Sequence, residues 1–175
     1  IKWTEMVKHI KSETGCVPFS GSGICIRKKN NTAILRSVDN TTFYKDDLDN
    51  IDRVKYTLYG QEKDQDINEK RFNAPLMTAK NIYLYRVTKK IIETVTKKGK
   101  KSKKTKQVYQ WYGKYEIFGQ DTIDNHPDKN GNLRKIIVLS LNRIKTKPNV
   151  VVLFGRTASL RTEADVKSMK KATKK

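Results

Sequence analysis

No apolar run in this chain is long. The two longest, at 136–139 and 150–154, hold four and five residues, lengths that suit short strands and fall far below the roughly 20 residues of a membrane span. Turn formers recur between them: the Gly/Ser/Pro-rich stretch 15–24 (GCVPFSGSGI), the Asn30-Asn31 pair and the 128–132 segment (DKNGN). The alternation between apolar runs and turn signals predicts strands at 24–28, 33–38, 56–59, 82–87, 109–117, 134–142 and 150–154. A helix is predicted over 4–13, where Met6, Val7 and Ile10 share a face behind Thr4 as cap, and 68–79 is helix-compatible with Pro75 starting or breaking it. Many short strands with few helices point to an α+β domain, a curved β-barrel with one to three packed helices.

Charge constrains the partner. The formal charge is +20, with 36% apolar and 32% charged residues. Residues 97–106 (KKGKKSKKTK) carry seven Lys and 167–175 (KSMKKATKK) carry five, neither with an acid; the rest of the chain still holds +8. A body that is basic without its lysine runs favours a polyanion, and nucleic acid is the commonest. The alternative is that lysine tails serve solubility alone. We expect one domain over 1–160, a mobile lysine-rich hairpin tip at 97–106 and a basic tail at 161–175. Cys16 and Cys25 stand nine apart, and His9 and His126 lack partners at metal spacing, so reduced thiols and no zinc are expected. The first residues lack the layout of a secretory signal. An intracellular place with DNA, no membrane association, no cofactor and no small-molecule substrate are the corresponding expectations.

Three segments carry a more specific signal. The first is Tyr44-Lys45-Asp46-Asp47-Leu48-Asp49, followed by Tyr56-Thr57, with twelve residues from tyrosine to tyrosine. The second runs from Gly60 through Asp64-Gln65 to Asn73-Ala74-Pro75-Leu76. The third is Tyr109 to Ile117 (YQWYGKYEI), with Tyr112, Gly113 and Tyr115, followed by Gly131-Asn132-Leu133-Arg134 and the 136–143 strand. In this order they resemble the SAD/SRA family of DNA-binding modules, also called YDG domains, whose fold is a PUA-like barrel. The resemblance spans about residues 24–143 and is closest to the short microbial and viral members.

The resemblance implies a reader of bases in double-stranded DNA, modified or not. Such a reader extracts a nucleotide from the stack and holds its base by both faces and by its hydrogen-bonding edge. Tyr44 and Tyr56 match the family's stacking tyrosines, Asp47 its acceptor for the cytosine amine, and Thr57 the residue beside the 5-substituent; Asp46 belongs to the same acidic element. Stacking contributes about 1–3 kcal/mol per base, and carboxylates accept from the cytosine amine. Lys97, Lys98, Lys100, Lys101, Lys103, Lys104, Lys106 and Arg71 are the candidate phosphate contacts. Gly60, Asp64, Gln65, Asn73, Tyr112, Gly113 and Tyr115 are the candidate structural residues of the motifs. Taken singly, Tyr44 and Tyr56 also read as ordinary strand aromatics, and the aspartates as a solvated turn. A calcium loop fails on pattern, lacking the turn glycine and the closing glutamate. On their strand, Tyr109 and Trp111 alternate with Tyr112 and face its opposite side.

The chain departs from the family in places. Thr42-Phe43 replace a glycine pair, the glycine after Tyr56-Thr57 is displaced to Gly60, and only Gln61-Glu62-Lys63 separate Gly60 from Asp64. The family's long groove-reaching insertion is therefore missing at that point, and the identity of the base stays open among 5-methylcytosine, another modified base and an unmodified one. No catalysis is expected: His126 in Asp-Asn-His-Pro-Asp lacks the second ligand a nuclease centre needs and reads as a polar turn. The alternatives are a packaging protein that keeps the barrel without base readout, or the targeting domain of a nuclease whose catalytic part lies elsewhere.

Overall fold

The computed structural model describes residues 3–18, 23–95 and 99–145, together with the backbone of 152–154 and 158–159. Helix α1 (Trp3–Thr14) leads into the hairpin β1 (Ile24–Arg27) and β2 (Thr32–Val38). Strand β3 (Arg53–Thr57), the single turn of helix α2 (Asn73–Met77), and the long strands β4 (Asn81–Val95), β5 (Lys101–Pro127) and β6 (Leu133–Arg143) follow, then short β7 (Val152–Phe154) and β8 (Ala158–Ser159). The strands form one mixed sheet in the order β1-β2-β4-β5-β6-β3, with β7 on β5 and β8 on β7. Among the described strands, only β2 and β4 run parallel, in register from Thr32↔Asn81 to Val38↔Val87. The sheet curves into a half-barrel with two helices, the α+β class that the sequence suggests.

Each face of the sheet buries its own core. Inside the curve, Leu35, Leu58, Leu76, Leu84, Tyr115 and Leu139 are almost fully enclosed. Outside it, α1 lies across the centre of the sheet. Met6 and Ile10, one turn apart, are 0% exposed and pack with Ile34, Tyr85, Val87, Tyr109 and Trp111. The Trp3 ring meets Tyr109 at 5.4 Å. Burying side chains of this size contributes about 1.5–3 kcal/mol each, so α1 is held by packing and not by intrinsic helicity, which is marginal at this length. Tyr109 and Trp111 serve this outer core and Tyr112 the inner one. Cys16 and Cys25 are both buried.

Several elements differ from the sequence expectation. The 68–79 helix shrinks to Asn73–Met77, because the Glu69 carboxylate accepts from the backbone N–H groups of Arg71 (2.8 Å), Phe72 (2.8 Å) and Asn73 (3.1 Å) and so terminates the helix start at that point. The strands at 82–87 and 109–117 extend to Val95 and from Lys101, since Ile91, Ile92, Thr94, Val95 and Thr105 keep β propensity through the lysine run. Most of the expected mobile tip is therefore paired ribbon; Lys97 and Lys98 lie outside the described residues, as does the tail 161–175. No described helix is long and apolar enough to cross a membrane.

A buried polar lattice fixes the 58–73 loop to β6. Gln65 donates to Leu58 O (2.6 Å) and Gly60 O (3.1 Å) and accepts from Ile137 N (2.8 Å). Asp64 accepts from Lys135 N (2.7 Å), and Asn73 pairs with both backbone groups of Tyr59 while donating to Asp66 O. In β5, Gly113 sits at a bulge opposite Leu84/Tyr85 with φ +96°, a conformation side chains resist. A Gln65→Leu variant removes three such bonds and leaves Ile137 N and Leu58 O unsatisfied. It should lower stability by about 2–4 kcal/mol, and Gly113→Ala by about 1–2 kcal/mol; both are measured by the midpoint of urea unfolding.

Candidate nucleic-acid site at the sheet seam

The half-barrel leaves its first and last strands apart. Among the described residues, β2 runs past the end of β1 and its last residues form an open edge, while β3 is the edge strand at the other side. The acidic segment 43–49 lies between them. Its register is set by an isolated bridge in which Asp47 N donates to Lys55 O (3.0 Å) and Lys55 N to Asp47 O (2.8 Å). Lys45 N donates to the Thr57 hydroxyl at 2.8 Å.

This register decides which carboxylate faces inward. Residues opposite each other in an antiparallel pair share a face, so Asp47 shares the exposed side of Lys55 and Asp46 shares the buried side of Tyr56. Asp46 accepts from the Ser37 hydroxyl on β2 (2.6 Å) and from Thr57 N on β3 (2.7 Å), spanning the seam. Burial pushes its carboxyl above the ordinary range, an effect offset in part by the bonds from Ser37 and Thr57. Asp47 is exposed and turns back to accept from Asp49 N at 3.0 Å. The inward carboxylate is thus Asp46, one residue before the position that the family resemblance assigned to the amine acceptor.

A cavity of about 390 Å³ opens at the seam, within the about 300–1,000 Å³ range of small-ligand clefts. Tyr44, Asp46, Tyr56 and Thr57 line it together; Asp47 instead lines an adjoining cleft of about 360 Å³ with Asp39, Asp49 and Arg86. The two tyrosines are not equivalent. Tyr44 is half-buried, its ring 4.8 Å from Phe43. Tyr56 is 3% exposed, belongs to the inner core, and donates its hydroxyl proton to Gly23 O at 2.8 Å. It therefore forms part of the wall and offers little free face for stacking. Thr57 is buried, its hydroxyl accepting from Lys45 N.

Arg71 from the sequence-derived set and several residues outside it complete the cavity. Tyr59 and Phe72 line it, their rings 4.5 Å apart, and Arg71 lies 4.8 Å above the Phe72 ring. Arg36 and Lys89 add cationic groups to the lining. Arg134, only 4% exposed, donates to Gly60 O (2.6 Å) and Phe43 O (2.8 Å), fixing the backbone beside Tyr44. Its position just after the 128–132 turn was the available signal. Asp128 organises that turn by accepting from Asn130 N and Asn132 N. The other motif residues have structural posts: Tyr112 donates to Leu48 O (3.2 Å) and Tyr115 to Ile51 O (2.6 Å), holding the end of the acidic segment and the turn after it. Lys101, Lys103, Lys104 and Lys106 are exposed along β5, and Lys100 is exposed just before it.

No protein-family model matches the chain, and no curated protein matches it. Among solved structures, the chain is similar to the MspJI restriction endonuclease in complex with a 27-mer oligonucleotide, at 16% identity and a TM-score of 0.41; the match covers 69% of this chain and 31% of that one.

The raised carboxyl of Asp46 gives a signed pH effect. The folded state binds this proton more tightly than the unfolded state, whose carboxyl titrates at about 3.9. Stability is therefore lost as pH rises from there through the folded-state value, and the loss persists at neutral pH. Asp46→Asn can keep the bonds to Ser37 and Thr57 without the charge. Its melting temperature should match the parent near pH 4 and equal or exceed it at pH 7; thermal melts across that range decide it.

Proposed function

We propose that this chain is a DNA-binding module of the SAD/SRA type, a PUA-like barrel that takes a base flipped out of a duplex into the seam cavity, and that it is not itself an enzyme. The observation that carries the reading is the inward-facing carboxylate of Asp46 in a cavity whose lining also includes aromatic rings and the cations Arg36, Arg71 and Lys89. Each carboxylate oxygen has two acceptor sites; the Ser37 hydroxyl and the Thr57 N–H take one on each oxygen and the Thr57 hydroxyl a third, which leaves one for an exocyclic amine. Phosphates flanking an extruded nucleotide meet the cations, the Tyr44 ring supplies a stacking face, and Thr57 lies beside the base. A modified base, 5-methylcytosine first, is the ligand to test. The curved mixed sheet and the bridge across its open side support the barrel reading.

The test is a titration of matched duplexes, with and without 5-methylcytosine, at two salt concentrations. The parent should prefer one duplex at both salts. Asp46→Ala should abolish that preference while keeping the salt-dependent background, and Asp47→Ala should preserve it. Losing the amine contact should cost about 1–3 kcal/mol of discrimination. Equal affinity of the parent for every duplex would instead leave a basic packaging protein.

A further inference from the structure

The part of the β4–β5 ribbon beyond the sheet takes no part in the cavity walls. Pairing of β4 with β2 stops at Val38↔Val87, whereas pairing with β5 continues from Lys89↔Gln107 to Val95↔Lys101. Over that stretch, residues 89–95 and 101–106 are all exposed, Ile91 at 70% and Val95 at 66%. Seven strand residues reach about 23 Å with no described element packed on either side. A two-stranded arm with exposed isoleucines and lysines is unstable as an ornament; its shape and charge call for a partner.

Its two faces differ. Cross-strand partners share a face, so one face carries Lys90/Lys106, Ile92/Lys104 and Thr94/Ser102. It contains three lysines and no acid. The opposite face carries Lys89/Gln107, Ile91/Thr105, Val95/Lys101 and the Glu93–Lys103 pair, whose charges meet at 3.6 Å, so one of its three lysines is neutralised. The acid-free face continues the side of Arg86 and Thr88, both bonded to Asp39 beside the acidic segment. The other face continues the α1 side, through Val87 and Tyr109. Lys89, at the root of the arm, also lines the seam cavity.

We infer that the ribbon is an arm that lies in the major groove of duplex DNA, with the Lys90/Lys104/Lys106 face turned to the DNA and Ile92 among those lysines. A two-stranded β-ribbon fits that groove, about 12 Å wide, and lysines reaching sideways meet the phosphates on its walls. Apolar contact with a thymine methyl suits Ile92. The inference rests on the proposed reading only in taking DNA as the polyanion.

Two double variants on one strand separate the faces: Lys104→Gln with Lys106→Gln, and Lys101→Gln with Lys103→Gln. Both remove two charges from exposed positions. Each is titrated against a DNA duplex, with and without 5-methylcytosine, and against an RNA duplex of the same sequence, whose major groove is too deep and narrow to admit an arm. The 104/106 pair should weaken DNA binding about tenfold and lower the salt slope by about 1.8. The 101/103 pair should lose clearly less, and RNA binding should not distinguish the pairs. A loss from 101/103 as large as from 104/106, no loss from 104/106, or a 104/106-specific loss on RNA as well would overturn the arm. The base-reading proposal stands or falls separately, on whether the parent distinguishes the two DNA duplexes in the same titrations.

Discussion

The carboxylate of Asp46 joins two strands that backbone pairing leaves apart, and the rest of the site is arranged around that bridge. In the sheet order β1-β2-β4-β5-β6-β3, β2 and β3 never exchange ladder bonds. Asp46 accepts from Ser37 on one and Thr57 on the other, and the Tyr56 hydroxyl crosses the same gap to Gly23. An open sheet exposes edges that would otherwise pair with foreign strands. Here side chains close the gap incompletely, and the incompleteness is the cavity.

The supporting structure is polar and mostly backbone-directed. Gln65, Asn73, Asp64 and Arg134 bind carbonyls and amides of the 58–66 loop, of Phe43 and of β6. They contribute no apolar area to the cavity, yet they fix where Tyr44, Tyr59 and Phe72 stand. Bonds of this type add only about 1 kcal/mol each when made and cost more when one partner is lost. Such a lattice therefore specifies geometry more than it adds stability. Tyr112 and Tyr115 do the same for the far end of the acidic segment, through Leu48 O and Ile51 O.

Much of the chain could be read from its residues. The strand-rich α+β class, α1 with Met6 and Ile10, the opposite facing of Trp111 and Tyr112, and the turn at 128–132 all follow from periodicity and turn chemistry. The 68–79 helix was misjudged because a local carboxylate, Glu69, caps the chain late. The β4–β5 arm was misjudged because lysine composition suggested a loose tip where β-branched neighbours sustain pairing. In the acidic segment the structure turns Asp46 inward and leaves Asp47 exposed, because one residue in a β register exchanges the two faces.

From the sequence alone came the residue types, their order and the basic charge: an acidic island with tyrosines in a cationic chain, and the local periods of strands and the first helix. Those depend on neighbours within a few positions, so they survive without knowledge of the fold. Tertiary structure decided which aspartate turns inward, that Tyr56 is a wall while Tyr59 and Phe72 join the lining, and that Arg36, Arg71 and Lys89 converge from three separate segments. Each of these is a matter of strand register or of contacts between distant stretches of chain, and neither is encoded in spacing along the sequence.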